Sequence, residues 1–157
     1  TDHTHTRPMG PIHISAVLSL IPHFAGHHLP RGCYAVSSLM MTRLLTHGYD
    51  GVRRWFKGVR RDKAKIQKVG FPWCDNGHWR AVYVDVNRHV VEFMDSMCTI
   101  DTPLNELEHR VCNSVIDLFR SEWARCGVEG FLDGPPPPRA SKWTVQRATI
   151  ALSLIHI

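Results

Sequence analysis

Apolar and polar side chains alternate in the middle of the chain, as they do in β-strands that bury one face. The pattern covers the segments AVYVDV and VVEFM, which are separated by Asn87–His89. Two alternating runs with a short polar connection predict an antiparallel hairpin that His78 opens and Asp95 closes. Polar residues are few in both runs, so we expect both faces of the hairpin to be covered. Two further strands are predicted, one in KIQKVGFPW that reaches Pro72 and one in KWTVQRATI.

An apolar stripe with a period near 3.6 residues predicts a long helix after the hairpin, from about Pro103 to Cys126. Thr102 is a suitable N-cap, Pro103 fits the first helical position, and Gly127 follows the last turn. The positions that we expect to pack on the sheet are Leu104, Leu107, Val111, Val115 and Leu118.

Shorter helices are predicted in the first third of the chain. The apolar run ISAVLSLI, residues 14–21, is ended by Pro22. In CYAVSSLMMTRLLTHG the apolar residues follow helical spacing, and Gly48 marks the stop. Asp50 is a candidate N-cap for one more short helix in DGVRRWFKGV. The apolar residues of the second of these helices are Val36, Leu39, Met40 and Leu44.

Length and composition fit one globular domain. The chain has 157 residues, of which 43% are hydrophobic and 21% charged. No apolar run approaches the roughly 20 residues that a membrane-spanning helix needs, so we predict no membrane partner. The five cysteines are odd in number and include no CxxC pair. This argues against a disulfide framework and a zinc ribbon, and it favours a reducing compartment.

Positive charge is concentrated in one segment of the chain. Arg53–Lys68 contains eight basic residues and one acidic residue, in a protein whose net charge is +5. A solvated basic face is the simplest interpretation, with an acidic protein partner or nucleic acid as the alternatives.

His78 and Asp95 are the candidate chemical groups of the predicted hairpin. Antiparallel strands of about eight residues joined by a tight turn bring their outer ends together, about 4.8 Å apart. The spacing of 17 positions from His78 to Asp95 fits this geometry, so we predict that their side chains lie within hydrogen-bonding reach. A histidine that serves as a general base needs a second group to orient it, and an aspartate can do this. The alternative is a surface histidine and an aspartate that forms a turn.

Three segments, in order, resemble the catalytic domain of the ubiquitin-like-protein-specific proteases, the SUMO (sentrin-specific) protease family. They are GYDGVRRWFKGV, GHWRAVYVDV and VVEFMDSM, and the resemblance covers roughly residues 14–151. It implies an α+β fold of the papain-like cysteine protease type, with a central mixed sheet flanked by helices and the C-terminal part missing. It also implies a nuclear thiol peptidase that cleaves after the Gly-Gly of SUMO or a related modifier. SUMO-type modifiers and their conjugates are then the partners, and no cofactor is needed.

The resemblance also implies roles for individual residues. His78 is similar to the catalytic histidine of the family, and Asp95 to the aspartate that orients it. Trp79 resembles a tryptophan that lines the tunnel for the Gly-Gly tail, where a flat aromatic wall passes glycines and rejects a Cβ atom. Core packing is the alternative interpretation of Trp79.

The nucleophile of the family is the part that this sequence lacks. It belongs to a Gln-x-Asn-x-x-Asp-Cys-Gly segment that opens a helix, and none of the five cysteines has that context. We therefore expect the segment to follow Ala151, and the 157-residue chain to be inactive. Residues 1–13 are expected to be loosely structured, and residues 14–151 to form a partial protease domain. Residues 152–157, LSLIHI, resemble the translation of a sequencing adapter, and we expect them to be foreign to the protein.

A second class of function stays open, a catalytically inactive module that binds a modifier or, less favoured, nucleic acid. Metal sites are also conceivable. Six of the eleven histidines fall within the first 28 residues, and Cys74, His78 and Cys98 are close in sequence. Neither group has a complete ligand spacing, so we predict no metal.

Overall fold

The computed structural model describes residues 32–56, 66–95, 97–127 and 135–148. The strands are β1 (Cys33–Ala35), β2 (Lys68–Asp75), β3 (His78–Asp85), β4 (Val90–Asp95) and β5 (Thr144–Ala148). The helices are α1 (Ser38–His47) and α2 (Glu106–Cys126), with single 3₁₀ turns at Tyr49–Gly51, Arg53–Phe56 and Ala140–Lys142. The predicted helix at 14–21, the loose segment 1–13 and the last six residues lie outside the described residues. Neither described helix has the length and apolar character that a membrane crossing requires.

The five strands form one mixed sheet in chain order. Strands β2, β3 and β4 are antiparallel, whereas β1 runs parallel to β2 and β5 runs parallel to β4. The predicted α+β class and the mixed sheet are confirmed. So is the hairpin of β3 and β4, whose turn is closed by a hydrogen bond of 3.0 Å from the Arg88 N–H to the Asp85 carboxylate.

Strand β2 is longer than predicted, because it continues past Pro72 to Asp75. The two-residue turn Asn76–Gly77 then leads directly into His78, with φ of 50° and 76° at its two positions. Positive φ at both positions is the backbone of the type I′ hairpin turn, which Asn-Gly favours. The Asn-Gly pair was therefore a sequence signal that β2 and β3 form a second hairpin.

One face of the sheet packs against both helices. The strand residues come into register as two apolar rows, Val69, Val84 and Val91 in the first and Phe71, Val82 and Phe93 in the second. Each of these side chains is at most 2% exposed, and Phe119 of α2 meets Phe71 edge to face at 6.2 Å. The opposite face is more open, because Tyr83 is 36% exposed. The expectation that both faces of the hairpin are covered is therefore wrong at this position.

Helix α2 begins at Glu106, later than predicted. Its N-cap is Asn105, whose side chain accepts the Glu108 N–H at 2.8 Å, while the Glu108 carboxylate accepts the Asn105 N–H at 3.0 Å. This capping box satisfies two backbone donors at once. The helix therefore starts after Asn105, and the predicted start with Thr102 as N-cap and Pro103 as the first helical residue is wrong. Leu107 is 36% exposed, so its predicted place in the core is wrong. Leu104 precedes the helix, contrary to prediction, but it is partly buried and packs against the core as predicted. The predicted core positions Val111, Val115 and Leu118 are confirmed.

Helix α1 begins after its N-cap Ser37. It ends at His47, before the predicted stop Gly48, which is its C-cap. The start after Ser37 turns Met40, Met41 and Leu44 to the core and leaves Leu39 53% exposed, so the predicted position of Leu39 is wrong. Val36 lies before the helix but packs against the core. Asp50 is not an N-cap. It lies inside the turn Tyr49–Gly51, and its carboxylate is 3.7 Å from the Arg53 guanidinium.

Candidate active site

His78 and Asp95 meet at one end of the sheet. The Nε2 atom of His78 is 2.7 Å from Oδ1 of Asp95, which confirms the predicted hydrogen bond. The register pairs Arg80 with Asp95, and His78 precedes Arg80 by two residues on β3, so all three side chains are on the same face. The His78 side chain is 25% exposed and that of Asp95 6%, so the imidazole is accessible while the carboxylate is screened.

The Asp95 carboxylate has two further donors. Oδ1 also accepts the Met97 N–H at 2.9 Å, and Oδ2 accepts Nε–H of Arg80 at 3.2 Å. Burial by itself raises the pKa of Asp95, but the Met97 N–H, His78 and Arg80 together outweigh burial and lower that pKa below its ordinary value. Asp95 is therefore ionised at neutral pH.

This arrangement assigns the tautomer of His78. An ionised carboxylate only accepts hydrogen bonds, so Nε2 carries the proton in the neutral ring and Nδ1 is the basic nitrogen. Among the residues that the structure describes, Asp95 alone forms a hydrogen bond with this ring. Nδ1 can accept a proton from a thiol, and Asp95 would stabilise the imidazolium that results.

The loop that follows Asp95 is held in place by Arg147 of β5. Nε of Arg147 donates to the Thr102 carbonyl at 2.7 Å, and Nη2 donates to both carboxylate oxygens of Glu108 at 2.7 and 2.9 Å. The side chains of Arg147 and Glu108 are only 3% and 6% exposed. Because Glu108 also belongs to the capping box of α2, one buried ion pair connects β5, the loop and the helix.

Two residues of the site were not found from the sequence. Arg80 contacts Asp95 directly, and Arg147 fixes the loop behind it. The signal for Arg80 was its distance of two residues from His78, since residues i and i+2 of a strand share a face. The sequence carried no signal for Arg147, because its contacts with Thr102 and Glu108 span 45 and 39 residues.

The cysteines do not complete the site. In the described residues none of the five forms a disulfide, and none forms a hydrogen bond with the His78 ring. Cys112 is fully buried in α2, and burial raises the pKa of its thiol to about 12, so it stays protonated at neutral pH. In the ranges that the structure covers, no three His, Cys, Asp or Glu side chains form a metal-binding group, so Cys74, His78 and Cys98 do not form one.

Trp79 follows His78 on β3 and is half-buried. Neighbouring residues of a strand point to opposite faces, so its ring leaves the strand on the face away from the His78 imidazole. Its Cα partner on β2 is Cys74. The predicted role of Trp79 as a tunnel wall stays a prediction.

Sequence comparison connects the chain with one family. The profile of the Ulp1 protease family, C-terminal catalytic domain, matches residues 17–147. Sentrin-specific protease 2 of Mus musculus is 27% identical over 89 residues, which are 57% of this chain and 14% of that protein. Sentrin-specific protease 3 of Homo sapiens is 33% identical over 73 residues, 46% of this chain and 12% of that protein. The chain thus matches only about an eighth of the length of these relatives.

Solved structures share the fold. The SUMO protease Ulp1 with its catalytic cysteine oxidised to a sulfinic acid has a TM-score of 0.69 and 19% identity, over 93% of this chain and 58% of that chain. The C-terminal Ulp1 protease domain in complex with Smt3, the yeast ortholog of SUMO, has the same TM-score and identity, over 93% and 57%. The Xanthomonas campestris effector XopD bound to ubiquitin has a TM-score of 0.53 and 17% identity, over 75% and 63%. At these identities the likeness is one of fold.

Proposed function

Because this chain belongs to the Ulp1 protease family, we propose that it is part of a cysteine peptidase that cleaves after the Gly-Gly of SUMO or a related ubiquitin-like modifier. His78 is the general base, and Asp95 orients its ring. The observation that carries the proposal is the hydrogen bond of 2.7 Å between Nε2 of His78 and Oδ1 of Asp95 at the accessible end of the sheet. The proposed substrate class is supported by relatives named sentrin-specific proteases and by the Ulp1 domain bound to Smt3.

In the proposed mechanism Nδ1 of His78 takes the proton of a cysteine thiol. The thiolate attacks the carbonyl carbon of the last glycine, and the tetrahedral intermediate collapses to a thioester as the amine leaves with the proton from His78. A water molecule then gives a proton to His78 and attacks the thioester. The glycine carboxylate is released, and the thiolate regains its proton. Asp95 stabilises the imidazolium in both halves of the reaction.

We propose that the nucleophile is none of the five cysteines and that it follows β5. The parallel pairing of β4 and β5 supports this, because Ala148 lies beside Met94. The backbone that leaves β5 therefore does so at the end of the sheet where Asp95 lies. On this proposal residues 14–151 are a partial domain, residues 152–157 are foreign, and the 157-residue chain has no activity of its own.

We also propose that Trp79 forms the wall that admits the glycine tail and that the protein acts in the nucleus. Trp79 directly follows His78 on β3, and a flat aromatic side chain in the path of the tail excludes tails with a Cβ atom by steric contact. Trp79→Ala in an active chain should lower the preference for Gly-Gly over Ala-Gly tails. An unchanged preference would mean that Trp79 is a packing residue.

The nuclear location is tested separately: exclusion of the tagged full-length protein from nuclei would contradict it.

The first experiment compares two chains on a fluorogenic substrate that carries the Gly-Gly tail of SUMO. The 157-residue chain should not release the fluorophore, whereas a chain extended past Ala151 with its native codons should do so and lose this activity with iodoacetamide. Turnover by the shorter chain would mean that one of its own five cysteines is the nucleophile.

The second experiment tests the base in the extended chain. His78→Ala should lower kcat by about 10⁶-fold and Asp95→Asn by about 10⁴-fold, since catalytic triads lose most of their acceleration without either group. His109→Ala, which changes an exposed histidine of α2, is the matched control and should keep wild-type activity. An extended chain that binds SUMO without cleaving its tail would instead be a modifier-binding module.

A further inference from the structure

A row that contains two charged residues lies on the core face of the sheet, beside the candidate site. The row consists of Trp73, Arg80 and Asp95, in register across β2, β3 and β4, and it is next to the apolar row of Phe71, Val82 and Phe93. The Trp73 ring packs edge to face on Phe93 at 6.3 Å, so it belongs to the core. Arg80 is thus the cation at the boundary between the core and the His78–Asp95 pair.

The Arg80 guanidinium is held on three sides. Nε donates to Oδ2 of Asp95 at 3.2 Å, Nη1 is 3.6 Å from Oδ2 of Asp75, and Cζ lies 5.2 Å from the centroid of the Trp73 ring. Nη1 is buried and forms no hydrogen bond within the described residues. Trp73 and Asp75 therefore fix the plane of the guanidinium, and the Nε–H group is aimed at Asp95.

We propose that Arg80 is a positioning residue, which holds Oδ2 of Asp95 and so keeps Oδ1 directed at Nε2 of His78, beside the Met97 N–H that Oδ1 also accepts. The inference rests on the proposed role of His78 as the base. The torsion of an aspartate carboxylate is broad, so without a partner on Oδ2 the group can turn and present either oxygen, or neither, to the imidazole. Arg80 acts on the reaction only through Asp95. The hydrogen bond between Asp95 and Nε2 of His78 keeps the proton on Nε2, which leaves Nδ1 as the basic nitrogen.

Polar groups from three strands surround the contact between Arg80 and Asp95. Arg80 and His78 of β3 contact the carboxylate, Asp75 of β2 faces Arg80, and the charge of Asp95 helps to raise the pKa of Arg147 on β5. The Met97 N–H completes the set from the loop. Arg80 is among the groups that lower the pKa of Asp95, so removing it should move that pKa upward even though the other groups stay in place.

The test is an NMR comparison of three 157-residue chains: wild type, Arg80→Gln and Arg120→Gln. Arg120 is the matched control, because it is an arginine of α2 whose side chain is 44% exposed and whose partner Asp117 is 3.9 Å away. Wild type and Arg120→Gln should show a slowly exchanging Nε2–H proton of His78. Arg80→Gln should lose that signal, and the midpoint at which its Asp95 carboxyl carbon titrates should move to higher pH.

The proposal is overturned if a folded Arg80→Gln chain keeps both the Nε2–H signal and the Asp95 midpoint, or if Arg120→Gln changes them equally. Should Arg80→Gln fail to fold, as judged by circular dichroism, the wild type decides alone. The chemical shift of its Arg80 Nε–H should change as Asp95 is protonated, whereas that of the Arg120 Nε–H should not. An Arg80 Nε–H shift that does not change when Asp95 titrates overturns the proposal. These NMR signals do not depend on a nucleophile. An extended chain without activity would therefore contradict the proposed function but not the positioning of Asp95 by Arg80.

Discussion

The two oxygens of Asp95 have different partners, and this difference organises the candidate site. Oδ1 contacts His78 and the Met97 N–H, while Oδ2 contacts Arg80. The pair of His78 and Asp95 was predictable, because the ends of two strands joined by a tight turn must come together. The contact of Arg80 was not predicted, because the direction in which a long side chain turns depends on the ring of Trp73 beneath it.

At the residue scale we predict a pH-dependent cost of Asp95→Asn. The pKa of Asp95 is lowered in the folded chain, so its stabilising contribution is complete above the unfolded value of about 3.9 and is lost as the pH falls through the folded value. Urea unfolding should show a loss of roughly 1.5–3 kcal/mol near neutral pH, typical of hydrogen bonds to a charged group. The difference from wild type should shrink in acid below the unfolded pKa; an equal difference at both pH values would contradict the prediction.

At the scale of elements, the sequence pattern located the helices better than it located their first residues. The stripe of α2 was predicted correctly at Val111, Val115 and Leu118. The start was predicted too early, because Thr102 and Pro103 form a plausible N-terminus by themselves. The reciprocal hydrogen bonds of Asn105 and Glu108 stabilise a start at Glu106 instead.

Two leucines of α2 test this assignment. Leu118→Ala removes a side chain that is 0% exposed and should cost about 2–5 kcal/mol in unfolding free energy. Leu107→Ala, the matched control, removes the same atoms from a side chain that is 36% exposed and should change stability by less than about 0.5 kcal/mol. Urea denaturation of both variants measures the difference. Similar costs would show that the helix is rotated from the position described.

The turn between β2 and β3 also permits a matched test. Gly77 has φ of 76°, a backbone that disfavours a Cβ atom, and no heavy atom lies within 4 Å of the added carbon. Gly77→Ala should therefore cost about 1–2 kcal/mol through backbone strain alone. Asn76→Gly, at φ of 50°, should be nearly neutral because glycine tolerates this conformation. Equal thermal midpoints for wild type and Gly77→Ala would contradict the assigned turn.

At the scale of the whole molecule, the ion pair of Arg147 and Glu108 connects parts that are far apart in sequence. It joins the edge strand β5 to the N-terminus of α2, and Arg147 also holds the Thr102 carbonyl in the loop behind Asp95. A hydrophobic pattern cannot predict such a pair, because neither residue interrupts the periodicity of its own element in a distinctive way.

Removing one partner of this pair should destabilise the chain more than removing both charges. Arg147→Met leaves the buried Glu108 carboxylate without its cation and should cost about 3–5 kcal/mol. Adding Glu108→Gln keeps an acceptor for the Asn105 N–H and should restore part of that loss. Urea denaturation of the single and double variants gives the coupling. A double variant whose cost equals the sum of the single costs would show that the two residues act independently.

The sequence by itself determined the hairpin, the apolar stripe of α2 and the pairing of His78 with Asp95. These follow from local periodicity, from tight turns and from the fixed geometry of neighbouring strands, which act over a few residues or along one element. Only the tertiary structure decided where α2 begins, that Arg80 turns to Asp95, and that β5 lies parallel to β4 with Arg147 on Glu108. Those features depend on competition among distant groups for the same hydrogen bonds and the same buried space. That competition is resolved when the elements pack together.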